Sequence, residues 1–271
     1  MRYLVTAQEM KQYDKNTIEY LGIPGPVLME RAALAAEDFL KERFDAVKER
    51  TKVLIFAGMG NNGGDGLALA RLLAADGYTV AVRLVGDPEK ATEQWKSQWQ
   101  TLQHFPVKTD SNTQADEYNV IVDALFGVGL SRPVEGIYAE AVEEMNVAEG
   151  FKLALDVPSG ICSDTGRVLG CAFLADATIT FGFCKRGLVM YPGTIMPGRY
   201  TLQMWGSDRR AFWDRARRCI LMTAVNSICR TEHPPGIREP SAKLCWWLGA
   251  TAWPEQQSWR QERRIVPEPV W

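Results

Sequence analysis

Residues 56–77, "FAGMGNNGGDGLALARLLAADG", decide the fold of this chain. They join the end of a branched apolar run, "KVLIFAG", to a segment with the apolar spacing of a helix. A glycine-rich turn between a strand and a helix is typical of nucleotide-binding proteins, and "GMGNNG" (residues 58–63) matches the G-x-G-x-x-G fingerprint. Asp65, however, places an acid at the expected start of the helix, where such proteins hold a pyrophosphate, and it would repel a phosphate. An ordinary helix N-cap is the alternative interpretation of Asp65. The fingerprint alone therefore leaves the kind of ligand open.

Strands and helices alternate over the first 199 residues. Further strand-like runs are "TVAVRLV", "YNVIVDALFG", "FKLALDVPSG" and "DATITFG", and helical segments lie between and before them. This alternation predicts an α/β protein with a Rossmann-like, doubly wound, mostly parallel sheet that carries helices on both faces. In such sheets ligands bind outside the carboxyl ends of the strands. The loops at residues 58–65, 123–133, 156–160 and 182–187 should therefore converge on one rim.

The composition narrows the functional classes. The chain has 271 residues, a net charge of −2 and only two histidines, His104 and His233. The charge gives no electrostatic reason to expect a nucleic-acid partner. No apolar run reaches transmembrane length and no signal peptide is visible, so we expect a cytoplasmic protein without a membrane partner. So few histidines disfavour a zinc site or a Ser-His-Asp triad, and the six cysteines lack C-x-x-C spacing.

Oxygen-bearing side chains follow three of the predicted strands. Asn62, Asp123 and Ser159 offer three hard oxygen ligands, which suit a hard or weakly hydrated cation rather than zinc or copper. Asp156 is left free to act as an acid or a base. Lys185, in "TFGFCKRGL", is interpreted either as a contact for a substrate phosphate or carboxylate or as an ordinary surface lysine.

These motifs, in this order, resemble the YjeF N-terminal domain family of NAD(P)H-hydrate epimerases. The resemblance covers about residues 4–198 and is carried by "GNNGGDGLALAR", "VDALFGVGL", "LALDVPSGI", "DATITFGFCKRGL" and the entry helices "TAQEM" and "GIPGPVLMERAA". The chain departs from the family pattern at Arg31, Ala32 and Ala33, where relatives usually have Asn-Ala-Gly or Arg-Ala-Gly, so local helix packing is expected to differ.

The resemblance implies an isomerase that repairs hydrated NADH and NADPH by interconverting the R and S hydrates. It implies a potassium ion at Asn62, Asp123 and Ser159. Because inverting a carbinolamine-type carbon requires its C–O bond to break and re-form, Asp156 is the candidate general acid/base. A homodimer and fusion to an ADP- or ATP-dependent hydrate dehydratase domain are further expectations. The implied substrate contacts are Asn61, Asn62, Gly63, Gly64, Asp65, Gly127, Val128, Gly129, Leu130, Ser131, Arg132, Pro133 and Asp156.

The last part of the chain differs in kind. Seven of the nine tryptophans follow position 199, and apolar periodicity is lost there. With codons chosen for fit, reading from the third base of the Arg199 codon turns "RYTLQMWGS" into the strand-like "LYAADVGI", and residues 236–271 into a dehydratase-like opening. We therefore expect two regions: an epimerase domain at residues 1–199 whose final strand is missing, and an out-of-frame Trp/Arg-rich tail at residues 200–271.

Two other functions remain open at this stage. The literal fingerprint supports an NAD-dependent oxidoreductase. A non-catalytic binding protein, or an inactive fragment that keeps the cleft, would show the same motifs.

Overall fold

The computed structural model describes residues 4–109, 113 and 115–194, together with the backbone of residues 199–203. The described residues all fall in one structural unit. None of the helices described is long and apolar enough to cross a membrane. The five α-helices are α1 (Ala7–Glu19), α2 (Gly25–Phe44), α3 (Asn61–Ala75), α4 (Glu93–Leu102) and α5 (Ile137–Val147). The strands are β1 (Leu4–Val5), β2 (Lys52–Ala57), β3 (Thr79–Leu84), β4 (Lys108–Thr109), β5 (Val120–Ala124), β6 (Phe151–Leu155), β7 (Ala177–Phe181), β8 (Cys184–Lys185) and β9 (Arg199–Gln203).

Seven strands form one parallel sheet in the order β4-β3-β2-β5-β6-β7-β9. From β2 the chain winds outward through β3 to β4. It then returns to the other side of β2 and winds outward again from β5. The sheet therefore reverses its winding between β2 and β5, and the carboxyl ends beside such a switch point are where ligands bind. The predicted doubly wound α/β fold is confirmed.

Side chains of the central strands alternate between two apolar cores, because successive residues of a strand point to opposite faces. On one face Val53 and Ile55 of β2 belong to the core that contains residues of α2, α3 and α4. On the other face Leu54 and Phe56 belong to the core that contains residues of α5. All four side chains are almost fully buried. Burial on both faces explains why the strands appear in the sequence as continuous apolar runs.

The prediction that the final strand is missing is wrong. Arg199–Gln203 forms β9 and pairs in parallel with β7, from Ala177 opposite Arg199 to Phe181 opposite Gln203. Parallel pairing needs only an extended backbone with free N–H and C=O groups, and "RYTLQ" contains a tyrosine and a threonine, which favour strands. The outer edge of β7 is consequently covered without any shift of reading frame. The predicted tail beyond residue 203 lies outside the described residues, so the two-region division and the frameshift stay predictions.

A small second sheet lies against the carboxyl ends. β1 pairs in parallel with β8, with Val5 opposite Lys185. α1 follows β1 and begins with a capping box between Thr6 and Glu9. Val128 and Phe183, from two of the rim loops, pack against the apolar cluster of β1 and α1. The N-terminal segment therefore covers part of the rim.

Candidate active site

The glycine-rich turn packs α3 closely against the sheet. α3 begins at Asn61 with Gly60 as its N-cap, so Asp65 lies in the second turn and is neither the N-cap nor the start of the helix, as had been expected. A Cβ on Gly63 would lie 1.8 Å from the carbonyl oxygen of Gly58, and one on Gly66 would lie 2.6 Å from the Cβ of Ala124. These glycines are thus explained by close approach of the helix to the ends of β2 and β5.

Asp123 and Ser159 form a buried pair at the ends of β5 and β6. The Ser159 hydroxyl donates to Asp123 Oδ1 at 2.7 Å, and the Ser159 N–H donates to Asp123 Oδ2 at 2.7 Å. The Leu125 N–H also donates to Asp123 Oδ1, at 3.1 Å. Burial raises the pKa of Asp123 to about 6, although these hydrogen bonds oppose the rise.

The same rim contains a buried acceptor without a partner. Asn62, in the first turn of α3, donates from Nδ2 to the Leu155 carbonyl at 3.2 Å, while its Oδ1 is buried and has no hydrogen-bond partner among the described residues. A buried polar atom of this kind calls for a partner. Asp123 accepts three hydrogen bonds where an ionised carboxylate offers about four lone-pair positions, so an acceptor position remains there too.

These donors fit a hard cation. Amide, carboxylate and hydroxyl oxygens are the ligands that such ions prefer. Across the residues with described positions, no three His, Cys, Asp or Glu side chains are grouped to hold a metal ion. Asn62, Asp123 and Ser159 therefore suit a hard cation better than a transition metal.

Asp156 follows β6 directly and has an unusual backbone. Its φ of 67° lies in the left-handed region, where aspartate is tolerated better than most side chains. Its N–H donates to the Ile179 carbonyl at 2.7 Å, which ties the strained residue to β7. Strained backbone held by its surroundings is concentrated at functional sites. This residue is 8% exposed, so its carboxylate requires partners.

Both oxygens of Asp156 have partners. Lys185 Nζ lies 2.5 Å from Oδ1, and the Val128 N–H donates to Oδ2 at 3.0 Å. A Cβ on Gly127 would lie 2.7 Å from Oδ2, so that glycine leaves room for the carboxylate. One oxygen of the carboxylate is thus held by a charged donor and the other by a neutral one.

Lys185 is not the surface lysine of one sequence interpretation, and it is not free to reach a substrate phosphate. It is 1% exposed. Besides Asp156, its ammonium donates to the Phe181 carbonyl at 2.6 Å and to Thr180 Oγ1 at 3.0 Å. All three N–H groups of the ammonium are therefore used inside the protein.

Two further carboxyls share this electrostatic environment. Burial raises the pKa of Asp65 well above its ordinary range, with Asp156 and Asp14 adding to the rise and Lys185 opposing it. Burial likewise raises the pKa of Asp14 to about 6, with Lys185 opposing and Asp156 adding to the rise. Both residues retain partial exposure. This environment therefore favours the protonated form of Asp65.

The loop after β5 joins this cluster at one end and is exposed at the other. Gly127 and Val128 contact Asp156, whereas Ser131, Arg132 and Pro133 are exposed. Asn61, at the start of α3, is exposed as well. The rim thus combines buried chemical groups with an accessible lip. The remaining residues predicted to contact the substrate, Gly63, Gly64, Gly129 and Leu130, lie in these same two segments.

A shallow cavity of about 380 Å³ lies elsewhere, among α2, α3 and α4. Its lining includes Glu30 and Arg71, which form an ion pair with each other. None of the acids at the strand ends lines it. The cavity therefore does not mark the reaction site.

Sequence reasoning missed two contributors. Asp14 lies in α1, more than a hundred residues from Asp156, and nothing in its local pattern distinguishes it from a surface acid. Thr180 was part of a predicted strand without an assigned role. Only the β1–β8 pairing and the packing of α1 on the rim show that these residues contribute to the site.

A parallel sheet with its polar side chains gathered at the carboxyl ends beside a switch point defines a Rossmann-like α/β protein with a ligand site at that rim. The model of the family described as YjeF-related protein N-terminus matches residues 25–187. This chain belongs to that family.

Relatives and a solved structure agree with this assignment. The NAD(P)H-hydrate epimerase of Limosilactobacillus fermentum is 43% identical over 197 residues, covering 72% of this chain and 93% of that protein. The NAD(P)H-hydrate epimerase of Weissella koreensis is 45% identical over 197 residues, covering 72% of this chain and 87% of that protein. The crystal structure of the yeast protein ynu0 superposes with a TM-score of 0.63 at 25% identity, covering 73% of this chain and 86% of that one. The expected fusion to a dehydratase domain stays a prediction.

Proposed function

We propose that this protein is an NAD(P)H-hydrate epimerase, an isomerase that interconverts the R and S hydrates of NADH and NADPH. The structural observation that carries the proposal is the carboxylate of Asp156, ion-paired to buried Lys185 at the rim of the sheet. Relatives that share 43% and 45% identity with the chain bear this name. The oxidoreductase alternative rested on the glycine fingerprint, and close packing accounts for two of its three glycines, Gly58 and Gly63.

The substrate is placed along the accessible lip of the rim. Residues 61–65 and 127–133 border the cleft on two sides, and Asp156 lies between them. Contacts from Asn61, Ser131 and Arg132 are proposed because these side chains are exposed and close in sequence to the buried cluster. The hydrated nicotinamide ring then lies against Asp156 and Asp65.

The chemistry follows from the two carboxyls. The carbon to be inverted carries a hydroxyl next to the ring nitrogen. Asp65, protonated, donates its proton to that hydroxyl, and the C–O bond breaks as water leaves while the nitrogen lone pair forms a C=N bond. Water then adds to the other face of the ring and gives its extra proton to ionised Asp156. Exchange with solvent water afterwards removes this proton from Asp156 and returns one to Asp65, so both groups regain their starting states. Asp65 therefore acts as the acid on one face of the ring and Asp156 as the base on the other. Their environments differ, as in other acid/base pairs.

Potassium is proposed at Asn62, Asp123 and Ser159. The unpartnered Asn62 Oδ1 and the buried Asp123 carboxylate support a cation there. When bound, the ion supplies positive charge at an otherwise acidic rim, which favours the phosphate-bearing substrate. A homodimer and a cytoplasmic location are also proposed, on the resemblance and on the composition respectively.

The direct test uses the purified full chain and purified R hydrate. The formation of the S hydrate is measured by chromatography. We expect the S hydrate to form far faster than at the background rate. In water enriched in ¹⁸O, the S hydrate should also acquire solvent oxygen at the rate of epimerisation, since the C–O bond breaks. No acceleration over background would remove the proposal.

A further inference from the structure

Lys185 is buried, and its one charged partner is the residue proposed to act in the reaction. A buried ammonium is costly unless it is paired. Of its three partners, the Thr180 hydroxyl and the Phe181 carbonyl are neutral, and Asp156 supplies the negative charge. The carboxylate that Lys185 requires is therefore the one proposed to take the proton from water.

The placement of Lys185 is determined from two sides. Its backbone lies in β8, where it pairs with Val5 of β1. Thr180, at the end of β7, is fully buried and fixes the ammonium from the sheet. The position of the charge is thus set by main-chain pairing and by the sheet.

The ion pair also distinguishes the two oxygens of Asp156. Oδ1 accepts the strong charge-assisted bond from Lys185. Oδ2 accepts only the neutral Val128 N–H, and Val128 belongs to the loop proposed to contact the substrate. Proton exchange is easier at the oxygen that is not bound to the ammonium.

We propose that Lys185 is a positioning residue of the reaction, which holds Asp156 through its Oδ1 atom and leaves its Oδ2 atom for proton transfer. The inference rests on the proposed epimerase function. It assigns Lys185 no contact with the substrate. Its effect on the rate passes entirely through Asp156.

The experiment compares Lys185→Met, which keeps the length of the side chain and removes the charge, with Thr180→Val, which keeps the charge and removes one neutral hydrogen bond. In Lys185→Met, kcat/KM should fall about 100-fold or more at pH 7, mainly through kcat. Its KM should stay within about threefold of the wild-type value, because Lys185 does not contact the substrate. Thr180→Val, which keeps the ion pair with Asp156, should lose only about fivefold in kcat/KM.

A double variant keeps the test decisive if Lys185→Met folds poorly. Asp156→Asn combined with Lys185→Met leaves no unpaired carboxylate, and its residual rate should equal that of Asp156→Asn within about threefold, since coupled residues are not additive. An inactive wild-type chain would overturn the epimerase function and the inference with it. With an active wild-type chain, a loss in Lys185→Met that appears in KM rather than in kcat, or a clear further loss in the double variant, would overturn the inference alone.

Discussion

Two carboxylates at the same rim, Asp123 and Asp156, have opposite surroundings. Asp156 is paired with a cation that the chain itself supplies, Lys185. Asp123 is fully buried but accepts hydrogen bonds only from Ser159 and the Leu125 N–H, with an unpartnered amide oxygen from Asn62 at the same rim. The difference indicates two tasks: the carboxylate with an internal cation is suited to proton transfer, and the one without is suited to an external cation. Each prediction below tests that contrast, from the largest expected effect on the rate to the smallest.

The largest effect is expected at Asp156. Asp156→Asn should lower kcat/KM by about 10³-fold, because loss of a general acid/base typically costs 10²–10⁴. Asparagine is the appropriate replacement, since it tolerates the left-handed backbone that Asp156 adopts. The unfolding temperature should fall, because buried Lys185 loses its charged partner, and a single cooperative unfolding transition would show that the fold is intact. Activity near the wild-type level would contradict the assignment.

Potassium is expected to bind beside the other carboxylate, Asp123. Replacing potassium with a large organic cation should lower both the rate and the unfolding temperature of the wild-type chain. An ion at 100 times its Kd stabilises the folded state by about 2.7 kcal/mol. Asn62→Ala should abolish this potassium-dependent increment, whereas Asp156→Asn should keep it. Identical unfolding curves with and without potassium would contradict the proposed potassium site.

Asp65 should affect the alkaline side of the pH profile. Because the Asp65 pKa is raised and the residue must be protonated to donate, kcat/KM should decline as pH rises through that pKa. Asp65→Asn should lower the rate by about 10²-fold and remove this decline, since general-acid contributions begin near that size. A variant that retains the wild-type alkaline limb would show that another group supplies the proton.

Asp14 should affect stability more than rate. Its pKa is about 6 in the folded chain and 3.8 as the ordinary value, so the folded state binds the proton more tightly than the unfolded state. The stability that this provides is complete below about pH 4 and is lost as pH rises through 6. Asp14→Asn should therefore raise the free energy of unfolding by about 2 kcal/mol at pH 7.5 and hardly at pH 4. Equal stabilisation at both pH values would contradict the cause given.

Much of the fold was predictable from the sequence, because strands buried on both faces leave long apolar runs, as in β2 and β5. The turns after them predicted the shared rim, and the hydrogen bonds among Asp123, Ser159 and Phe126 confirm that those loops meet. The start of α3 was placed too late because glycines usually end helices, whereas here Gly63 and Gly64 fit close packing. β9 was missed because backbone pairing with β7 does not require an apolar pattern.

The sequence predicted those site residues that lie at or just after the end of a predicted strand. These residues are Asn62, Asp123, Asp156 and Ser159. The sequence identified Lys185 as a candidate, but it did not show that Lys185 is buried and ion-paired, since that burial depends on the pairing of β8 with β1. Asp14 reaches the cluster only through packing of α1, which no local pattern shows.

The most direct test of the contrast is one set of rate measurements with purified R hydrate, following the S hydrate for the wild-type chain, Asp156→Asn and Asn62→Ala, each with and without potassium. We expect rapid conversion by the wild-type chain with potassium, almost none by Asp156→Asn in either condition, and a slow rate for Asn62→Ala that potassium does not change. Wild-type rates at background, or an Asp156→Asn chain as fast as wild type, would contradict the account.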